Sequence, residues 1–188
     1  HGYLINQFLS PAVHRRQDAW GGDFARRLHF LVAVCEAVRD AVGPEMPVFI
    51  KLGMADGIEG GLTPEMGRRV VSELAGMGLD GVELSCGIGG DAMNAIQPGI
   101  RTQEDEAYFR EFARMSRKVT SLPLMSVGGF RSREVMEDVL ASGDADFISM
   151  CRPLICEPDL PKRLKQGQAR AACISGNRCW ASKPGEGI

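Results

Sequence analysis

Four short apolar runs, each closing on a polar or glycine-containing turn and each set apart by a helix-length amphipathic stretch, constrain this chain more than any other feature. They cover residues 47–53, 81–87, 123–129 and 146–152. Strands separated by so much chain cannot pair through tight hairpins. They are expected to run parallel, joined by right-handed helical crossovers.

The stretches between the runs carry helical punctuation. Phe24, Leu28, Leu31, Cys35, Val38 and Val42 fall at steps of three and four and form one apolar face, which Gly43 and Pro44 bring to a stop. Thr63, Pro64 and Glu65 supply an N-cap, a first-turn proline and a first-turn acid, with Val70, Leu74 and Met77 facing inward and Gly78 ending the helix. A glycine- and asparagine-containing loop leads to a helix over residues 106–120, with Phe109, Phe112, Met115 and Val119 inward. Ser132 is expected to cap a helix over residues 133–142 that Gly143 closes, and a short helix around 160–166 precedes a tail.

Two architectures satisfy this order: an open doubly wound sheet and a TIM-type barrel. A complete barrel needs eight strands and about 250 residues. Four strands in 188 residues make half of one. The expectation is therefore an α/β chain forming the C-terminal half of a (β/α)8 barrel: a leading loop over 1–24, βα units over 25–167 and a tail over 168–188.

Composition suits one soluble unit with a real core, being 44% hydrophobic and 24% charged. A formal charge of −2 argues against nucleic-acid or polyanion partners. No apolar run approaches the roughly 18 residues of a membrane span, and residues 30–38 are cut by Glu36. His1 is not an initiator methionine, and the start is read as a truncation point without a signal peptide. The six cysteines (Cys35, Cys86, Cys151, Cys156, Cys173, Cys179) lack disulfide-framework spacing, and are expected to be reduced, partly buried thiols of a cytoplasmic protein.

Each strand closes in residues able to meet a ligand: Lys51 to Gly53, Ser85 to Gly87, Gly128 with Gly129, and Cys151 with Arg152. That rim binds ligands in both architectures. Gly128 and Gly129, ahead of the Ser132-capped helix, offer backbone N–H groups and a positive helix end to a phosphate; a plain tight turn is the alternative. Arg152 adds a guanidinium that can clamp phosphate, its alternative being a surface salt bridge. Lys51 can be a Schiff-base nucleophile, a general base or a fixed charge facing an anion, or can snorkel to solvent. His1 and Tyr3, two apart on extended chain, share a face and could hold a carbonyl and deliver a proton. His14, in an arginine-rich loop, and His29, beside Phe30, look unremarkable.

The order and spacing of these motifs resemble the old yellow enzyme family and its 2,4-dienoyl-CoA reductase-like branch. The resemblance rests on the stretch from His1 to Pro11, on residues 14–22 with Arg27, on residues 56–62 and 126–129, and on residues 152–155 and 157–160, and so covers nearly the whole chain. It implies FMN on a TIM barrel, NADH or NADPH as electron donor, and an enone or enoyl small molecule as substrate. His1 resembles the second member of a pair holding the substrate carbonyl, whose first member would lie before His1. Tyr3 resembles the residue that protonates the α-carbon. Lys51 stands where the family has arginine beside the flavin N1 and O2 edge, keeping the charge without the planar fork. Gly128, Gly129, Cys151 and Arg152 resemble the phosphate cradle, and Ser85 lies on the same rim. Cys173 and Cys179 resemble the family's cysteine-rich tail, but Gly176 replaces a middle cysteine. Two thiolates cannot hold a cluster that needs four, so no iron–sulfur cluster and no other metal is expected.

The reading is an FMN-dependent NAD(P)H oxidoreductase of the ene-reductase type, whose isolated half is silent and self-associates as a homo-oligomer or pairs with a missing half. The alternatives are a non-catalytic half-barrel that binds phosphate or itself, and another phosphate-binding barrel enzyme using Lys51 as a Schiff-base nucleophile.

Overall fold

The computed structural model describes residues 1–88 and 95–180. Strands β1 (Phe49–Gly53), β2 (Gly81–Ser85), β3 (Leu124–Val127) and β4 (Phe147–Ser149) form one sheet in sequence order. All three pairings are parallel. Helices α1 (Leu4–Leu9) and α2 (Phe24–Val42) precede the sheet. Between the strands run α3 (Pro64–Leu74), α4 (Arg110–Arg117) and α5 (Arg133–Ala141), and α6 (Arg152–Cys156) and α7 (Leu160–Lys165) follow β4.

Register separates two unlike faces. Val82 aligns with Ile50 and Leu124, and Leu84 with Leu52 and Ser126. Val82, Leu84 and Leu124 are fully buried, and they share one core with Val70, Val71 and Leu74 of α3, Ala113 of α4 and Val139 of α5. The alternate layer runs Lys51, Glu83, Met125, Phe147. On this face Phe49 and Phe147 are each 54% exposed. A doubly wound sheet is covered on both faces and reverses its strand order. This sheet does neither; it is a barrel wall with its inner side open.

Local chemistry explains the element boundaries. Thr63 caps α3, its Oγ1 accepting from the Met66 amide at 3.3 Å, and Pro64 opens the first turn. A Cβ on Gly67 would lie 2.2 Å from the Met54 carbonyl oxygen, so glycine lets α3 lie against the chain leaving β1. Asp23 caps α2 through the Arg26 amide, and Gly43 ends it with φ of 76°.

Three expectations need correction. The apolar face of α2 is buried only in part: Leu31 and Cys35 are buried, but Val38 and Val42 are 38% and 42% exposed, since the segment after α3 meets the end of α2 through Arg39 rather than through this face. Helix α4 starts at Arg110 rather than near 106, because Ala107 takes a left-handed φ of 54°. Its buried positions are Ala113 and Ser116, with Met115 and Val119 only partly covered. The leading segment is not all loop, since α1 forms within it. Buried Asn6 ties α1 to β1: its Oδ1 accepts from the Gly53 amide at 3.0 Å and its Nδ2 donates to Asp56 at 3.1 Å. The glycine- and asparagine-containing loop after β2 and the tail lie partly outside the described residues.

Candidate active site

The chain leaving β3 makes a turn that only glycine tolerates. Gly128 and Gly129 have φ of 132° and 72°, and a Cβ on Gly129 would lie 2.9 Å from the Tyr108 ring. Tyr108 packs on this turn and donates its amide N–H to the Gly128 carbonyl at 3.2 Å. The N–H groups of Gly128 and Gly129 donate to no acceptor among the described residues. With Cys151 and Arg152, which follow β4, they border a cavity of about 280 Å3 that also reaches His1 and Lys51.

Arg152 is only 8% exposed, and no carboxylate pairs with it among the described residues. The surface salt bridge offered as its alternative is therefore not what the fold makes. Nη1 donates to the Gln97 carbonyl at 2.9 Å and to Asn177 Oδ1 at 2.8 Å, and Nη2 donates to the Tyr108 hydroxyl at 3.4 Å. Burial pushes the Tyr108 phenol above its ordinary pKa, the nearby guanidinium opposing it. The phenol is thus neutral at physiological pH. A buried cation without a counter-charge, beside unpaired amides, is suited to an oxyanion.

The other expected site residues are placed less simply. Lys51 is not at the strand end: it projects from the middle of β1 onto the open face and pairs with Glu83. That ion pair serves a fixed charge better than a nucleophile. Ser85 does not reach the cavity; it is fully buried and its Oγ donates to the Leu52 carbonyl at 3.0 Å. Cys151 is exposed and lines the cavity. His1 and Tyr3 meet at a neighbouring cavity of about 410 Å3 that shares His1 and Lys51 with the first. The His1 Nδ1 atom is buried without a partner among the described residues, and Tyr3 is 79% exposed. His14 and His29 contact the carbonyls of Trp20 and Ala19.

The positive end of α5 is not open to a phosphate. Glu106 fills it: Oε2 accepts from the Arg131 and Ser132 amides and Oε1 from the Ser132 hydroxyl, all at 2.7 Å. Ser132 stands at the cap position but makes no side-chain cap, its hydroxyl being spent on Glu106. All six cysteines are free. Cys156, Cys173 and Cys179 border a third cavity of about 600 Å3 that Arg152 also lines, and no group of three metal-binding side chains forms among the described residues. No helix among them is long and apolar enough to cross a membrane.

Tyr108, Asn177 and Glu106 carry roles that sequence reasoning did not assign. Tyr108 precedes Phe109 in what looked like a helix face. Asn177 sits at φ of 57°, a conformation asparagine tolerates better than most residues, and that tolerance was its only signal.

Known proteins resemble this chain over most of its length. It is 35% identical over 179 residues to an NADH oxidase of Thermoanaerobacter brockii, spanning 94% of this chain and 27% of that protein. An NADPH dehydrogenase of Geobacillus thermodenitrificans is 35% identical over 161 residues, 86% of this chain and 44% of its own. Among solved structures, the old yellow enzyme homologue from Zymomonas mobilis superposes with a TM-score of 0.69 at 26% identity, covering 93% of this chain and 46% of that one. A 2-naphthoyl-CoA reductase complex does so with a TM-score of 0.81 at 27% identity, covering 94% and 27%. The chain thus spans less than half the length of these relatives, and its four parallel strands and helices form part of their TIM barrel. The sequence model of the NADH:flavin oxidoreductase / NADH oxidase family matches residues 1–171, and the chain belongs to that family.

Proposed function

We propose that the parent protein is an FMN-dependent NAD(P)H oxidoreductase of the ene-reductase type, reducing activated C=C bonds of α,β-unsaturated carbonyl compounds, and that this chain supplies the phosphate end of its flavin site. The observation that carries this is Arg152, buried without a carboxylate partner beside the unpaired amides of Gly128 and Gly129. These groups fit a phosphate dianion. Arg152 would engage it through two bonds, and the glycine turn would bring backbone N–H groups close enough to donate. FMN, when bound, supplies the two-electron chemistry.

The remaining roles belong to this chain's own side chains. Lys51, steadied by Glu83, keeps a positive charge on the inner face of the barrel. His1 lines both cavities, and its ring would hold a substrate carbonyl oxygen there. Tyr3 borders the same cavity as His1, and its phenol would deliver a proton at the α-carbon. Cytoplasmic location and a small enone or enoyl substrate belong to the same proposal.

The test is flavin titration of the full-length protein. Arg152→Ala should weaken FMN binding more than Arg152→Lys, because lysine keeps a charge but not the fork. Equal affinities for wild type and both variants would count against a phosphate role.

A second reading, that the piece works by pairing with another half-barrel, is favoured by Phe49 and Phe147 on the open face and by outer edges of β1 and β4 that no strand pairs among the described residues.

A further inference from the structure

The acceptors around Arg152 have one property in common. The Gln97 carbonyl, the Asn177 side-chain oxygen and the Tyr108 hydroxyl are all uncharged. A guanidinium carries five N–H donors. Nη1 donates to two of these acceptors and Nη2 to the third, while Nε–H has no partner among the described residues. Nε–H and the Nη2–H beside it form the edge that can grip an oxyanion through parallel bonds. The three acceptors therefore fix the orientation of the fork and leave its charge uncancelled.

Arg110 and Arg117 show the contrast, whereas Arg27 and Arg131, which are also buried and held by carbonyls alone among the described residues, do not line the cavity. Arg110 is held by Asp138 and Asp144, and Arg117 by Asp146, so their charge is neutralised internally. Only a neutral set of partners lets a buried arginine act on an external anion. An asparagine differs from an aspartate by one side-chain atom, and Asn177 Oδ1 is the shortest of the three contacts at 2.8 Å.

We infer that Asn177 and Tyr108 are the positioning residues of the anion site, a neutral collar that aims Arg152 without quenching it, and that the amide at 177 decides whether the site accepts an anion at all. Tyr108 adds a second effect. Its oxygen accepts from Arg152, so its own proton is left to donate elsewhere, and its ring backs the Gly128 and Gly129 turn that borders the same cavity. The collar also explains why the C-terminal segment folds over the barrel rim, since Asn177 and cavity-lining Ser175 both belong to it. This inference rests on the phosphate-end assignment proposed above.

The test uses the full-length protein, freed of flavin, and inorganic phosphate as probe, followed by amide and arginine side-chain NMR shifts, with urea unfolding measured on each variant. Asn177→Asp should form an internal ion pair with Arg152, lowering phosphate affinity at least about tenfold while the urea midpoint holds or rises. Asn177→Ala and Tyr108→Phe, which each lose one neutral bond, should weaken phosphate by about three- to tenfold. Arg152→Ala should abolish binding. If Asn177→Asp binds phosphate as well as wild type, or no longer folds, the collar is wrong. If Arg152→Ala binds as well as wild type, or wild type shows no saturable shift, the anion site itself is wrong, and the proposed flavin-phosphate role falls with it.

Discussion

Replacing Glu106 by alanine should be among the most damaging single changes away from the apolar core. Its carboxylate is 6% exposed and accepts three hydrogen bonds of 2.7 Å, from the Arg131 amide, the Ser132 amide and the Ser132 hydroxyl. Truncation strands two backbone donors at a buried helix start, each costing about 1–3 kcal/mol. Loss of the negative charge at the N-terminus of α5 adds about 0.3–1 kcal/mol. Water entering the gap recovers part of this, so the net loss should be about 3–5 kcal/mol. Glu106→Gln keeps the length and one acceptor oxygen for the two amides, and should cost about 1–2 kcal/mol. The Glu106→Ala/Ser132→Ala pair should cost little more than Glu106→Ala alone, because both remove the same bond. Urea unfolding followed by circular dichroism reads these values. At a slope near 2 kcal/mol/M, Glu106→Ala should lower the midpoint by about 2 M. A Glu106→Ala protein within about 1 kcal/mol of wild type, or one more stable than Glu106→Gln, would refute the reasoning.

Tyr3→Phe in the full-length protein should slow alkene reduction by roughly 10²–10⁴-fold and leave flavin reduction by the nicotinamide nearly unchanged, because the phenol is needed only where a proton is delivered; stopped-flow kinetics on each half-reaction would expose a structural role as an equal loss in both. The isolated 188-residue chain should associate in a concentration-dependent way and bind free FMN poorly, since among the described residues no strand pairs with the outer edge of β1 or β4 and Phe49 and Phe147 face out; a monomer retaining stoichiometric FMN on size-exclusion chromatography would contradict this. Asp80 lies below the ordinary carboxylate pKa because the Val48 amide, and after it Arg39, bond the ionised form. Its contribution is therefore fully present above the unfolded pKa near 4, and lost as pH falls through the lower folded value. Asp80→Asn should flatten the acid limb of the stability curve, and an unchanged limb would exclude this role.

Local chemistry was legible in the sequence, and contacts across the fold were not. Thr63, Pro64 and Glu65 announce α3 because a cap involves only its own turn. The same logic located Ser132 correctly but misassigned its hydroxyl, since the group that takes it, Glu106, lies 26 residues away. Periodicity showed that Val38 and Val42 belong to an apolar face, but it does not reveal whether anything packs there. On the rim, Gly128, Gly129 and Arg152 stood out because their residue types are unusual at strand ends. Tyr108 and Asn177 could not, because what matters about them is a contact with Arg152, which lies 44 and 25 positions away along the chain. Ser85 and Lys51 show the converse: strand polarity suggested the rim, while alternation and register sent one into the core and the other onto the open face.

The fastening of α1 through Asn6 has a kinetic side. Its two bonds bridge 47 and 50 residues, so making them closes a loop whose entropic cost is roughly 3 kcal/mol. Packing of Leu9 and Phe8 on α2 holds the helix locally, but the long-range cost is offset only once β1 exists to offer the Gly53 amide. The segment carrying His1 and Tyr3 should therefore be the last to dock and the first to let go, with amide exchange at Gly53 faster than in β2. Cleavage within the exposed stretch 15–20 would turn this intramolecular clasp into a bimolecular one, releasing the two proposed substrate-facing residues while the sheet and its anion site remain folded.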